Sequence, residues 1–389
     1  MARFGIICEY NPLHSGHVYH MERARAAGAD EIVCVMSGNY VQRGEPALLH
    51  KYARAEAAIA AGADLVVELP FPYAAAGAEF FACGGVAAAA AFGCDTLFFG
   101  SESNDIDRLQ RLAAAALSPE FKQKYQALIK TNIGTAAAYA KALSEVTGLN
   151  ASALSNDLLG LAYCKAIQAG SYDIVPLCTH RAGADYNEQA LTGTHPSATA
   201  LRKLYREEGL SALQKHLPTP TEAVLSRTST QGLLLDEYAY GSALLAMLRL
   251  LPEEQLERSA LCATGLGARI SAAAHQASSL EELYALSTHK SLPDAHVRRA
   301  ILCAVLGITE QDLRSTPAYF TVLAANATGR RILAEQRHNS PVPIVVKPAD
   351  APDCRQRTLT DKADALYTLA MQNPQSSGFF KRFAPFMAL

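Results

Sequence analysis

Apolar and polar positions alternate in blocks along the first hundred residues. The apolar runs "RFGIICEY", "DEIVCVMSGN", "DLVVELPF" and "DTLFFGSES" are short and bounded by turn residues, which predicts strands. Between them "VYHMERARAAGA", "KYARAEAAIAAGA" and "GAEFFACGGVAAAAAFGC" carry helix-length patterns. Strands alternating with helices of this length predict βαβ units and a parallel sheet. Each helical stretch stops at Gly, then Ala or Cys, then Asp ("AGAD", "AGAD", "FGCD"), as a glycine just past a helix end leading into the next strand produces.

From Asp105 to about Gly170 the pattern turns helical, and "YDIVPLCTHR" restores a strand. "HPSATALRKLYREEG" predicts a helix with Ser and Thr at its start. "LPTPTEA" reads as a linker, and beyond it the chain is mainly helical, with a short β insertion in "AYFTVLAA" and "PVPIVVKP". The expected fold is α/β: a Rossmann-like domain with a parallel sheet over residues 1–216, then a mainly helical region over 217–389.

Composition narrows the class. Half of the 389 residues are hydrophobic and 19% are charged, a globular balance with room for more than one domain. No apolar run reaches the length of a membrane span. The start passes directly into strand-like sequence without the parts of a secretory signal, so a cytoplasmic protein is expected. The nine cysteines are scattered, with no C-x-x-C pair, which argues against a disulfide framework and a zinc knuckle. Cys8, Cys34, Cys94, Cys178 and Cys303 read as small buried hydrophobes.

The net charge of −2 hides an asymmetry. Residues 1–150 carry 12 Lys/Arg against 15 Asp/Glu, whereas residues 298–389 carry 12 against 7. A basic final quarter fits either a nucleic-acid footprint or a solvated face. Within it, Arg298, Arg299, Arg330 and Arg331 are the candidate RNA contacts. Phe379, Phe380 and Phe383 fit stacking on a base or closing of the core, and the core reading is preferred.

The chemistry concentrates where the first strand ends. Ligands of doubly wound sheets bind at the carboxyl ends of the strands. "EYNPLHSGH" ends strand one and "GSES" ends strand four, so the topology sets them facing each other across a crevice. No G-x-G-x-x-G and no Walker A lysine is present, which disfavours a dinucleotide fingerprint and a P-loop. In His14-x-Gly16-His17 the glycine permits close backbone approach, and His17 falls near a helix N-terminus that favours an anion. Imidazole donors on His14 and His17 suit charge developing on a phosphate during in-line attack.

Several blocks around this motif resemble the bacterial tRNA(Met) cytidine acetate ligase family, a branch of the H-x-G-H nucleotidyltransferases. They are "GIICEYNPLHSGHVYH", "MSGNYVQRGEPALLHKYARAEAAIAAGADLVVELP", "SNDLLGLAYCKAI", "HRAGADYN", "HPSATALRK" and, more weakly, "TGLGARI". The resemblance implies a nucleotidyltransferase-like catalytic domain that uses ATP and acetate to form acetyl-adenylate. The acetyl group then goes to N4 of the wobble cytidine of elongator tRNA(Met), giving N4-acetylcytidine. It implies ATP contacts from Ile7, Cys8, Glu9, Tyr10, Asn11, Pro12, Leu13, His14, Ser15, Gly16, His17, Val18, Tyr19 and His20, with Gly100, Asn156 and Arg181. His14 and His17 would be the catalytic pair.

Plainer readings stand beside these. Asn156 fits a helix N-cap, Arg181 a surface ion pair, Gly100 a chain turn and His20 a packed helix residue. Ser197, Thr199 and Arg202 resemble an S/T-x-x-R phosphate clamp, although either hydroxyl fits a helix cap. Gln42 and Arg43 fit a substrate contact or a structural loop, and His50, where relatives are expected to carry an acid, receives no role. Mg²⁺ is expected to arrive with ATP and no metal motif is visible; no membrane or DNA partner is expected. Two other functions are an adenylyltransferase acting on a small molecule, which leaves roughly 200 residues without a task, and a non-catalytic nucleotide- or RNA-binding protein, which needs no paired histidines.

Overall fold

The strands form where the apolar runs predict them: β1 (Arg3–Cys8), β2 (Glu31–Ser37), β3 (Leu65–Leu69), β4 (Thr96–Ser101) and β5 (Val175–His180). The computed structural model describes residues 1–131, 133–151, 155–180, 196–262, 265–289 and 292–388. The sheet order begins β5-β4-β1-β2-β3, all parallel. Both faces of β1 to β4 are covered, which is why these strands are largely apolar instead of alternating, whereas β5, at the edge, is half-exposed. Ile32, Cys34 and Met36 face one core with α1 (Ser15–Ala26) and α2 (Lys51–Ala60), and Val33 and Val35 face another with α3 (Ala78–Ala91) and helix Ser155–Ala169. Of the five cysteines read as buried, only Cys178 is half-exposed.

The repeated Gly-x-Asp has a structural use. Gly28, Gly62 and Gly93 adopt φ of 107°, 117° and 69°, reversing the chain after each helix. The aspartates then accept backbone N–H groups near neighbouring strand starts: Asp30 from Ala2 at 2.8 Å, Asp64 from Ile32 at 2.8 Å, and Asp95 from Arg3 at 2.9 Å. Each repeat therefore ends a helix and fixes a strand's entry.

Two expectations are corrected and a third is extended. α1 begins at Ser15 instead of Val18, because His14 caps it. "LPTPTEA" is no linker: it opens helix Thr219–Thr230, whose first turn tolerates proline because its N–H groups lack partners anyway. Val224 and Leu225 of that helix pack with Leu48, Leu49, Ala53 and Ala57, so packing runs across residue 216. The stretch read as a β insertion supplies β6 (Phe320–Ala325), which pairs antiparallel with β3 and carries β7 (Ile344–Val345) and β8 (Phe386–Met387).

The end of the chain locks onto this frame. Lys51 Nζ, in a side chain only 4% exposed, lies 2.8 Å from Glu68 and 2.9 Å from Asp364 of helix Arg355–Leu369. Asn39 joins in, donating to Asp364 at 2.9 Å and accepting Lys51 N–H at 2.8 Å. Phe379, Phe380 and Phe383 pack on one another, and Phe383 stacks on Tyr52 at 4.8 Å, so they close the core. No described helix is long and apolar enough to cross a membrane.

Candidate active site

β1 lies between β4 and β2, so the sheet's connections diverge at its carboxyl end, where a crevice opens. Tyr10, at φ 48°, turns the chain out of β1, and His14 then caps α1. Its Nδ1 accepts Gly16 N–H at 3.1 Å, while Nδ1 of His17 accepts His14 N–H at 3.2 Å. The two rings lie 3.8 Å apart. With Nδ1 accepting, neutral imidazole carries its proton on Nε2, so the backbone sets both rings as Nε2 donors at a helix N-terminus.

These rings border two spaces. A cleft of about 210 Å³ is lined by Ile7, Cys8, Glu9, Tyr10, Gly16, Tyr19, His20, Gly100, Asn156, Thr179 and His180, among others. A chamber of about 70 Å³ is lined by Asn11, Val41, Arg43, Thr199 and Arg202, among others. His14, His17, Glu9, Tyr10 and Ser197 border both. The cleft has the mixed walls of a nucleoside site and the chamber has cationic walls, an arrangement suited to a nucleotide whose phosphates pass the histidines.

Most of the residues singled out in the sequence meet here. Gly100 lies within β4 opposite Thr179, so it is no turn. Asn156 is the second residue of its helix and no N-cap: its Nδ2 donates to Glu102 at 2.7 Å. Ser197 does cap a helix, accepting Ala200 N–H at 3.1 Å, and still borders both spaces. Arg202 donates to the Asn11 carbonyl at 2.8 Å and faces Glu45 at 3.7 Å. His20 stacks on Phe98 at 4.9 Å along the cleft wall. Gln42 reaches the cleft and Arg43 the chamber. Pro12, Leu13, Ser15 and Val18 are absent from the lining of either space. Arg181 lies outside the described residues.

The structure adds positioning residues that the motif alone does not signal. Asp157 accepts from Ser101 Oγ at 2.6 Å and from Glu102 N–H at 3.1 Å, which holds the loop after β4. Burial pushes its carboxyl up, but hydrogen bonds from Ser101 and Ser103 and the charge of Arg108 keep it below its ordinary value. Arg54, 1% exposed, donates to the carbonyls of Leu49, Glu9, Ser37 and Gly38, tying the ends of β1 and β2 together. Burial lowers its pKa, as expected of a cation with only carbonyl partners. A carboxylate just inside a helix start and an arginine in an alanine-rich helix were the available signals, both too common to single out.

The four candidate RNA arginines do not form one surface. Arg298 pairs with Glu45 and lies over Tyr284 at 4.8 Å, and Arg299 donates to the Gln42 carbonyl at 3.1 Å. Both therefore pack against the loop after β2, whose Gln42 reaches the cleft. Arg331 instead pairs with Glu31 at 2.7 Å, at the amino end of β2, and Arg330 donates to the Ala388 carbonyl at 2.5 Å. The seven residues of β2, about 20 Å of strand, separate the two pairs.

The model of the HIGH nucleotidyl transferases matches residues 1–380. This chain belongs to that family. Within the HIGH nucleotidyl transferases it is 32% identical to the tRNA(Met) cytidine acetate ligase of Acetivibrio thermocellus, with 96% of each chain covered. The ligase of the same name from Caldanaerobacter subterraneus is 35% identical, again with 96% of each covered. The crystal structure of Thermotoga maritima TmcAL in its apo form superposes with a TM-score of 0.93 at 29% identity, covering all of both chains. The same protein bound with alpha-thio ATP gives 0.89. The match runs through both halves of the chain, so the C-terminal half is part of the family architecture.

Proposed function

We propose that the protein is an ATP-dependent tRNA(Met) cytidine acetate ligase. One observation supports this most: two backbone-oriented histidines line both a nucleoside-sized cleft and a cationic chamber, in a chain aligned end to end with ligases of that name. ATP enters with adenosine in the cleft near Gly100 and Asn156 and with its polyphosphate past His14 and His17. An acetate oxygen attacks the α-phosphorus, the bond to the β-phosphate oxygen breaks, and its electron pair leaves with pyrophosphate. The histidine donors meet charge on the α-phosphate, and Ser197, Thr199, Arg202 and Arg43 take the departing end. The wobble cytidine N4 then attacks the acetyl carbon, the bond from that carbon to the phosphate oxygen breaks, AMP leaves with its electron pair, and the N4 amine gives up one proton to solvent.

Magnesium is proposed to travel with the ATP. Among the described residues no three His, Cys, Asp or Glu side chains gather to hold a metal, so no step is assigned to it. The 1–216 portion is proposed to handle ATP and acetate in the cytoplasm, and the 217–389 portion to guide tRNA, with Arg298 and Arg299 at the shared rim.

Nucleoside analysis of tRNA(Met) incubated with protein, ATP and acetate tests the reading. N4-acetylcytidine is expected only when all three are present, and His17→Ala is expected to slow acetate-dependent ATP–pyrophosphate exchange by about 10²–10³. An unmodified wobble base, or acetylation from acetyl-coenzyme A without ATP, refutes it.

A further inference from the structure

Glu45 joins two arginines that serve different phosphates in the reading above. One carboxylate oxygen pairs with Nη1 of Arg298, on helix Asp294–Leu306. The other lies 3.7 Å from Nη2 of Arg202, on helix Ala198–Glu208. Arg202 lines the chamber proposed for pyrophosphate, and Arg298 belongs to the pair proposed to meet tRNA. Each cation has a second anchor: Arg202 donates to the Asn11 carbonyl at 2.8 Å, and Arg298 lies over the Tyr284 ring at 4.8 Å. The loop backbone is tied as well. Val41 N–H donates to the Glu45 carbonyl at 2.9 Å, and Gly44 N–H to the Val41 carbonyl at 2.8 Å. The carboxylate, at the end of a flexible side chain, is the part that can redistribute between the two guanidiniums.

We infer that Glu45 is a positioning residue that couples the two places, so that tRNA and pyrophosphate each weaken the other's binding. The inference rests on the ATP reading above and on Arg298 as a tRNA contact. The closer pairing is with Arg298 and the Arg202 contact is long. Without tRNA the carboxylate therefore sits mainly on Arg298 and competes little with polyphosphate for Arg202. A tRNA phosphate that engages Arg298 displaces Glu45 toward Arg202, where it takes up the guanidinium that pyrophosphate uses. Conversely, pyrophosphate at Arg202 repels Glu45 onto Arg298 and withholds that cation from tRNA. Linkage makes the two effects equal in free energy. The consequence for the reaction is an order. The tRNA docks best once pyrophosphate has left the adenylate, and docking then opposes the reverse step that would rebuild ATP.

Filter binding of tRNA(Met) to the full chain, without acetate and at constant ionic strength, reads the coupling. Saturating pyrophosphate is expected to raise the wild-type tRNA Kd about fivefold, the lower end of usual coupling. AMP, which has no β-phosphate to reach Arg202, should change it less than about twofold. In Glu45→Gln the pyrophosphate effect should fall below about twofold while tRNA still binds. If that variant fails to fold, pyrophosphate affinity measured without tRNA carries the test. Arg298→Gln releases Glu45 onto Arg202 and should raise the pyrophosphate Kd about fivefold. Arg299→Gln removes equal charge one residue away and should change it less than about twofold. Equal effects in those two variants overturn the inference. So does a pyrophosphate effect on tRNA that is absent in wild type, or one undiminished in Glu45→Gln, the mark of plain repulsion between two anions. A wild-type protein that binds tRNA but neither pyrophosphate nor ATP removes the ATP reading, and this inference with it.

Discussion

His50 and the motif histidines use the same device for different ends. All three accept a backbone N–H through Nδ1 at a helix start, but His50 is walled in by Phe380 and Phe383 and does not reach the cleft. Burial, and then the charges of Arg54, Arg227 and Lys51, push its pKa down to about 3. The unfolded chain titrates His50 near pH 6.5 while the folded chain holds it neutral, so acid favours the unfolded state. The stability it contributes is whole above about pH 6.5 and is lost as pH falls toward 3. By pH 5 the loss amounts to roughly 2 kcal/mol. His50→Asn keeps a cap without the titration. Urea denaturation at pH 7 and pH 5 should show wild type losing more stability than the variant, and equal losses would contradict the assignment.

Among the elements, those with local signals are legible in the sequence. β1 to β5, the helices between them and the Gly-x-Asp turns follow from period, length and turn chemistry, and the H-x-G-H site follows from where β1 ends. What escapes depends on partners distant in sequence. "FTVLAA" is apolar because both its faces are covered, but nothing local says that β6 pairs antiparallel with β3, some 250 residues earlier. In the same way, Lys51 on α2 looks like a surface residue until Glu68 and Asp364 are brought to it. These two charges hold the Lys51 ammonium protonated against the cost of its burial. Removing one member of such a cluster leaves uncompensated buried charge, at about 3–5 kcal/mol. Lys51→Met should lower the thermal midpoint sharply, and combining it with Glu68→Gln and Asp364→Asn should recover part of the loss. If the single variant is as stable as wild type, the cluster does not anchor the C-terminal helix.

Across the whole molecule, charge is sorted by where the halves meet. The basic excess of residues 298–389 does not become one positive face, because Arg331 is absorbed by Glu31 at the amino edge of the sheet. Helix Asp294–Leu306 instead abuts the loop after β2: Gly44, at φ 77°, leaves no room for a Cβ, which would lie 2.7 Å from Arg299 N. That contact brings Arg298 and Arg299 to the rim beside Arg43, and burial, then the charge of Arg43, lowers the Arg298 pKa. A phosphate arriving there meets the guanidiniums of Arg43, Arg298 and Arg299 beside the carboxylates of Glu45 and Glu9. The two arginine pairs should therefore behave differently. Changing Arg298 and Arg299 to Gln should weaken tRNA binding and flatten its dependence on salt, since each lost phosphate contact removes about one unit of slope. Changing Arg330 and Arg331 to Gln should leave affinity and slope near wild type, at some cost in stability because Glu31 keeps Arg3 but loses its second cationic partner. Filter binding over a salt series separates the two. If the second pair moves the slope and the first does not, tRNA approaches the amino edge of the sheet, and the rim beside the cleft is not its platform.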